Sequence, residues 1–332
     1  MITVHSTLQE VMANPMLKGK EYMVDPGLDD FLAEALNGRR FSELKFEDYK
    51  TYLPDWIPED IAEGMQYLLE KCEKKKVFYD IWTEEEMEDE PSRKKTGIAA
   101  FPLEEKKKFV LICPGGGYFS VCAQQEGYPL AKKLNEEGYA AFILQYRVAE
   151  NAGYPNPMDD LAKAVSFILE HAEKFNVETE DYAVMGFSAG GHLAATFGTE
   201  NAGYKKYGLP KPSAVILGYP VITMTEKTHP GSRENLLGKE NQTEASLKDF
   251  YSVEKHVTEA YPPVFVWQCE ADSTVPAENS QMLVSELKKW GIPYLHEVFP
   301  GSAHGWGLGT ATPAFGWLER AVEFWKHVSV AM

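Results

Sequence analysis

At 332 residues, 44% hydrophobic and 25% charged, the chain has enough material for one large α/β domain or a domain with an appendage. Lys+Arg 33 against Asp+Glu 50 leaves a net charge of -17, which argues against nucleic acid or an anionic membrane surface as partner. No apolar run approaches the roughly 20 residues that span a bilayer, and Met1 to Ser6 lacks the basic segment and apolar run of a secretory signal, so a cytoplasmic protein is expected. The cysteines (Cys72, Cys113, Cys122, Cys269) show no Cys-x-x-Cys spacing and the histidines form no His-x-x-x-His pair. Neither a disulfide framework, a metal nor a cofactor is expected.

Residues 1–75 differ in pattern from the rest of the chain. Asp29 to Leu36 and Pro58 to Leu69 carry helical apolar spacing with acidic first turns, punctuated by Pro26-Gly27, Pro54 and Pro58. The expectation is a small helical appendage: a lid over a site, a contact between copies in a homo-oligomer, or a helical pack on the outside of a core. From residue 76 the periodicity turns to strands. Val77 to Trp82 and Gly97 to Phe101 flank an acidic stretch, Glu84 to Lys95, and read as an antiparallel entry to a sheet with a solvated turn between. Phe109 to Cys113 is a continuous apolar run of the kind buried in a parallel sheet. A helix over 128–137, a strand over 140–144 and a helix over 158–175 come next. Then come a strand at Tyr182 to Met185 and a helix at His192 to Phe197. Strands at 214–218 and 264–267 bracket a long polar insertion, 223–261. A helix over 278–290, a strand over 294–299 and a closing helix over 314–327 end the chain. Alternating strand and helix predict a mostly parallel, doubly wound sheet with helices on both faces.

Between the strand ending at Met185 and the helix starting near His192 lies Gly186-Phe187-Ser188-Ala189-Gly190, a Gly-x-Ser-x-Gly pattern. A serine on a sharp strand-to-helix turn projects its hydroxyl clear of the backbone, and the flanking positions tolerate no side chain. If Ser188 is a nucleophile, it needs a base, an acid to orient the base, and donors for a developing oxyanion. In open α/β sheets such groups sit on loops after the carboxyl ends of strands. Asp272 follows the strand ending near Cys269, and His304 follows the one ending near Phe299. The order Ser, Asp, His is that of the α/β-hydrolase fold. His304 would relay the proton of Ser188, with Asp272 holding the imidazole tautomer. Pro114-Gly115-Gly116-Gly117 follows a buried strand, and the amides of Gly116 and Gly117, with that of Ala189, could form an oxyanion hole. The loop lacks the spacing of a phosphate-binding glycine loop.

Several positions have more than one reading. His192 could be the base instead of a packed helix residue, and Glu270 could replace Asp272 as the acid. Cys113 could in principle be a nucleophile, although no base is at hand. Tyr118 and Phe119, beside the glycine loop, and Trp306, beside His304, are either core or walls of a substrate pocket.

Together Pro114 to Tyr118, Gly186 to His192, Asp272 to Pro276 with Glu278 to Ser280, and Phe299 to Gly305 resemble bacterial α/β-hydrolase esterases of the acetyl-xylan-esterase-like group, also labelled xylanase-B-like esterases or lipases. Gly231 to Gly238 and Ser252 to Thr258 are similar to an insertion of that group. The resemblance covers residues 76 to 330 and implies a catalytic domain over 76–332. It also implies cofactor-free hydrolysis of short acyl esters, acetyl above all, on carbohydrates or oligosaccharides through an acyl-enzyme. Pro114 stands where lipase-like relatives carry histidine, which favours the carbohydrate-esterase branch. A feruloyl esterase or general carboxylesterase on the same fold is the alternative, and a non-catalytic binding protein the remote one.

Overall fold

The computed structural model describes residues 1–330. Its centre is one eight-stranded sheet in the order β1-β2-β4-β3-β5-β6-β7-β8. The strands are β1 (Phe78–Tyr79), β2 (Gly97–Phe101), β3 (Lys107–Cys113), β4 (Ala140–Gln145), β5 (Val177–Phe187), β6 (Ala214–Gly218), β7 (Val264–Cys269) and β8 (Tyr294–Phe299). β2 pairs antiparallel with both of its neighbours, β1 and β4; every pairing from β4 through β3 and β5 to β8 is parallel. This is the mostly parallel sheet of the α/β-hydrolase fold. Phe109 to Cys113, Ala140 to Leu144 and Ala183 to Met185 are almost fully buried, as strands covered by helices on both faces must be.

Parallel strands point their carboxyl ends the same way, and that edge collects the loops after β3, β5, β7 and β8. The helix after the serine, Ser188–Phe197, is buried on every side. It begins at Ser188 and not at His192 as the sequence suggests, because small residues there pack directly against the sheet. Its one titratable group, His192, is held by two hydrogen bonds. The Tyr251 carbonyl, 2.7 Å from Nε2, can only accept, so Nε2 carries the proton and Nδ1 accepts from the Tyr118 hydroxyl at 2.8 Å.

Other elements depart from the sequence reading for local reasons. The helix expected over 29–36 shrinks to Ala33–Leu36, because the Asp29 carboxylate accepts instead from the Phe41 amide at 2.6 Å and Asn37 ends the turn in a left-handed conformation at φ 50. The acidic stretch expected as a turn holds a helix, Glu84–Asp89, closed by a capping box between Thr83 and Glu86. Lys163, from the helix Asn156–Glu170, reaches Glu86 at 2.7 Å and fixes it to the body. The helix expected over 158–175 is interrupted at His171, with Ala172–Phe175 a separate turn. The polar insertion contains two helices, Pro230–Leu237 and Ala245–Phe250.

The first 75 residues share the core of the sheet domain. Leu8, Val11, Leu17, Phe46 and Tyr49 are completely buried and belong to the same apolar cluster as the strands. The helix Pro58–Cys72 lies against Tyr128–Glu136, where a side chain on Gly64 would come within 2.8 Å of Pro129. No helix among the described residues is long and apolar enough to cross a membrane.

One ion pair is sealed inside this frame. Arg147, just past β4, donates from Nε to both oxygens of Asp160, at 3.1 and 3.0 Å, and its amide donates to Oδ2 at 2.8 Å. Removing the carboxylate would leave a buried guanidinium uncompensated. Asp160→Ala should therefore lower stability by about 3–5 kcal/mol, read as a shifted urea midpoint at unchanged slope. His192 supplies a second prediction. Burial lowers its pKa to about 4, against the opposing pull of the Tyr251 carbonyl. The unfolded chain takes up a proton near pH 6.5, whereas the folded chain resists until near pH 4. The stability contribution is complete above the unfolded pKa and is lost as pH falls through that window. Melting temperature should drop between pH 6.5 and 4, and His192→Gln, with a lower value at pH 8, should show a flatter profile over the same range.

Candidate active site

Ser188 follows β5 and opens its helix in a backbone conformation that L-residues rarely adopt, with φ 52. The turn is so tight that a Cβ on Gly186 would lie 2.1 Å from the Gly190 carbonyl oxygen, and one on Gly190 would lie 2.2 Å from the carbonyl oxygen of Cys113. The two glycines are therefore required by close approach of backbone to backbone. The Ser188 carbonyl accepts from the Val221 amide at 3.0 Å, which pins the turn to the segment after β6.

His304 lies on the loop after β8, and its Nε2 is 2.9 Å from Ser188 Oγ. Its Nδ1 is 2.8 Å from Asp272 Oδ2. Asp272 has a fully buried side chain, and its Oδ1 accepts from the amides of Thr274 and Val275 at 2.9 Å each. Two backbone donors and the imidazole thus satisfy a carboxyl that is out of contact with water. The Tyr219 ring packs against the imidazole, with centroids 4.7 Å apart. Three residues remote in sequence thus form one unbroken chain of hydrogen bonds.

The glycine loop after β3 faces the serine. Gly116 and Gly117 have φ 127 and 65, and the Gly116 carbonyl turns back to accept from the Phe119 and Ser120 amides at 2.9 and 3.0 Å. The Gly115 amide is engaged, donating to Glu126 at 2.6 Å. The amides of Gly116, Gly117 and Ala189 have no acceptor among the described residues. They are the three donors singled out from the sequence; Gly116 and Gly117 line the same cavity as Ser188, and Ala189 follows the serine in the first turn of the helix.

The remaining expectations divide. Phe119 lines the cavity in front of Ser188. Tyr118 does not: it is buried to 1% exposure and spends its hydroxyl on His192. Trp306 also misses the cavity and lines a neighbouring depression beyond Trp56 with Lys50 and Glu59. Both corrections have one cause, since adjacent loop residues point to opposite sides of the loop and only one side is the pocket. His192, locked between Tyr118 and Tyr251, is not in reach of the serine hydroxyl's partner set. Glu270 is exposed and makes no contact with His304 among the described residues. The Cys113 thiol is fully buried and pushed up by that burial, the reverse of what a nucleophile needs.

Four contributors escape sequence reasoning. Glu126 is a buried carboxyl whose Oε2 accepts from the Gly115 amide at 2.6 Å and whose Oε1 accepts from the Tyr219 hydroxyl at 2.7 Å. The Gly307 amide donates to that same hydroxyl at 3.0 Å, so one carboxyl links the oxyanion loop to the histidine loop. Burial pushes the Glu126 carboxyl above its usual range, and the hydrogen bonds from Tyr219 and Gly115 oppose the shift. Asn235, on the insertion, donates to the Gly117 carbonyl at 2.9 Å and braces the loop from outside. Asp55, from the N-terminal segment, accepts from the His304 amide at 2.9 Å. His229 completes the rim. The available signal was slight: a Gln124-Gln125-Glu126 polar run placed just before a helix is odd unless buried partners await it.

These groups open into a cavity of about 550 Å³ walled by Leu28, Phe31, Trp56 and Phe119 on its apolar side. Among the described residues no group of three or more His, Cys, Asp or Glu is arranged to hold a metal.

Comparison with known proteins places this arrangement. Endo-1,4-beta-xylanase B of Butyrivibrio fibrisolvens is 38% identical over 221 residues, covering 64% of this chain and 34% of that protein. Acetylxylan esterase of Xylanibacter ruminicola is 31% identical over 219 residues, covering 64% of this chain and 44% of that protein. The matched stretch thus spans less than half the length of these curated relatives. Among solved structures, an acetyl ester-xyloside bifunctional hydrolase from Caldicellulosiruptor lactoaceticus superposes with a TM-score of 0.67 at 30% identity, covering 76% of this chain and 96% of that one. The model of the BD-FAE family matches residues 100–287. More than half of the chain lies within that match, from the end of β2 to the helix after β7, and the protein belongs to the BD-FAE family.

Proposed function

We propose that the chain is a serine esterase that removes short acyl groups, acetyl foremost, from carbohydrate esters through an acyl-enzyme. The observation that carries this reading is the continuous hydrogen-bonded line from Ser188 Oγ through His304 to Asp272, at 2.9 and 2.8 Å. Ser188 Oγ attacks the ester carbonyl while His304 Nε2 takes its proton. Asp272 stabilises the imidazolium that forms. The carbonyl oxygen, now negative, is met by the amides of Gly116, Gly117 and Ala189, each such donor contributing on the order of 3–4 kcal/mol to the transition state. The C–O bond to the alcohol then breaks as His304 returns the proton to the leaving oxygen. Water repeats the sequence on the acyl-enzyme, and carboxylate leaves.

Support for the acetyl and carbohydrate part comes from the relatives that carry those words in their names, the acetylxylan esterase and the acetyl ester-xyloside hydrolase. The competing reading is a feruloyl or general carboxylesterase, because a cavity of about 550 Å³ has room for an aromatic acyl group.

Ser188→Ala should reduce hydrolysis of p-nitrophenyl acetate by about 10³-fold or more, with Asp272→Asn about as damaging because it frees the wrong histidine tautomer. Turnover by Ser188→Ala at the wild-type rate would eliminate the serine mechanism. Wild-type kcat/KM should be higher on acetylated xylo-oligosaccharide than on methyl ferulate; the reverse order would establish the competing reading.

A further inference from the structure

The cavity wall contains two polar atoms that neither the triad nor the oxyanion donors use. His229 Nδ1 faces the Ser232 amide at 3.2 Å and the Ser232 hydroxyl at 2.9 Å. An amide can only donate, so Nδ1 is the acceptor and the ring proton sits on Nε2. Burial, then the proximity of His304, holds this imidazole below its ordinary pKa, which favours the neutral ring. The edge of the ring that carries Cε1 lies near both Gly117 and Gly231. Nε2 has no protein partner among the described residues and is not sealed from the cavity. It is a fixed donor beside the oxyanion loop with nothing to donate to.

The second atom is an acceptor. Asp55 Oδ2 accepts from the His304 amide, and Oδ1 has no partner among the described residues while the residue lines the same cavity. The same cavity is lined by Phe31, Trp56 and Phe119; Phe31 is 68% exposed and tilts toward Phe119 with centroids 6.3 Å apart. A fixed donor, a fixed anionic acceptor and apolar rings form a recognisable combination. A simple alkyl or aryl alcohol would desolvate both polar atoms without satisfying either. A ring with hydroxyls on its edge and C–H groups on its face satisfies all three, and a carboxylate-bearing sugar would be repelled by Asp55.

We infer that His229 and Asp55 are specificity-determining residues for the alcohol half of the ester, with His229 Nε2–H donating to one ring hydroxyl and Asp55 accepting from another, over the Trp56 and Phe119 wall, and that the alcohol they select is a neutral sugar. The inference rests on the serine-esterase reading and adds the residues that choose the leaving group. Asp55 lies outside the residues 100–287 matched by the family model and His229 inside them, on the polar insertion, so the selecting groups sit on the rim of the cavity and not at the reacting centre.

The test compares kcat/KM on acetylated xylo-oligosaccharide with kcat/KM on p-nitrophenyl acetate for wild type, His229→Phe and His229→Gln. In His229→Phe the ratio should fall about tenfold, mainly through KM, because shape is kept and the donor lost. His229→Gln, whose side-chain N–H reaches toward the Nε2 position, should recover most of the ratio. A parallel loss on both substrates, or a Gln variant no better than Phe, would overturn the assignment. Should neither variant fold, the wild type suffices: xylobiose should inhibit p-nitrophenyl acetate hydrolysis more strongly than cyclohexanol, and equal inhibition counts against the subsite. A wild type that ignores acetylated xylo-oligosaccharide yet is inhibited by xylobiose refutes the acetylated-sugar reading and supports the subsite.

Discussion

The left-handed backbone at Ser188 is the constraint on which the rest of this molecule is arranged. A non-glycine residue at φ 52 carries a cost of order 1–3 kcal/mol, and it persists only because the surrounding structure leaves the chain no alternative. Backbone from β3 and from the first turn of the following helix closes on the elbow until no Cβ fits at Gly186 or Gly190. That crowding lifts the serine hydroxyl above the carboxyl edge of the sheet. It also bares the first amides of the helix beside the hydroxyl. The proposed nucleophile and one proposed oxyanion donor, the Ala189 amide, are therefore two products of one bend.

Around the bend, buried polar groups hold the loops in place. Glu126 takes hydrogen bonds from the Gly115 amide and the Tyr219 hydroxyl, and Tyr219 in turn accepts from the Gly307 amide. Asp55 and Asp272 anchor the histidine loop at its backbone and at its ring. Glu126 and Asp272 are buried, and a buried carboxyl is costly unless its partners are present. The loops are consequently fixed as a set: releasing one leaves an unsatisfied group in another. Such mutual satisfaction is how a catalytic site built from loops reaches the rigidity of one built on strands.

Much of this could be read from the residues. The strand runs Phe109 to Cys113 and Ala140 to Leu144 are long, apolar and bounded, so burial and parallel pairing followed directly. The chemistry-bearing residues were also legible, because each follows a strand and their order is restrictive. What escaped was whatever depended on distant partners. The Asp29 carboxylate could have capped its own helix, but a donor at Phe41 was available and the helix shortened to one turn. Thr83 and Glu86 spelled a capping box inside an acidic stretch whose charge masked it. Tyr118 and Trp306 sat next to functional residues, yet adjacency in sequence does not decide which side of a loop a ring occupies. Glu126 offered no more than a polar run before a helix, and Asn235, Asp55 and His229 offered no signal of the contacts they make; their roles exist only once the chain has closed on itself.

The contact between Asp55 and His304 has a consequence for how the molecule comes into being. It joins residues 249 apart in sequence, and the serine and histidine are themselves 116 apart. Contacts of such separation are slow to form, since the intervening chain must be ordered before they are rewarded. During synthesis the first 75 residues emerge long before the loop they brace, and their buried leucines and aromatics must wait for strands not yet made. The line from Ser188 through His304 to Asp272 is therefore among the late contacts to close. Recovery of the proposed esterase activity would report closure of these long-range contacts, and not the arrival of any local motif.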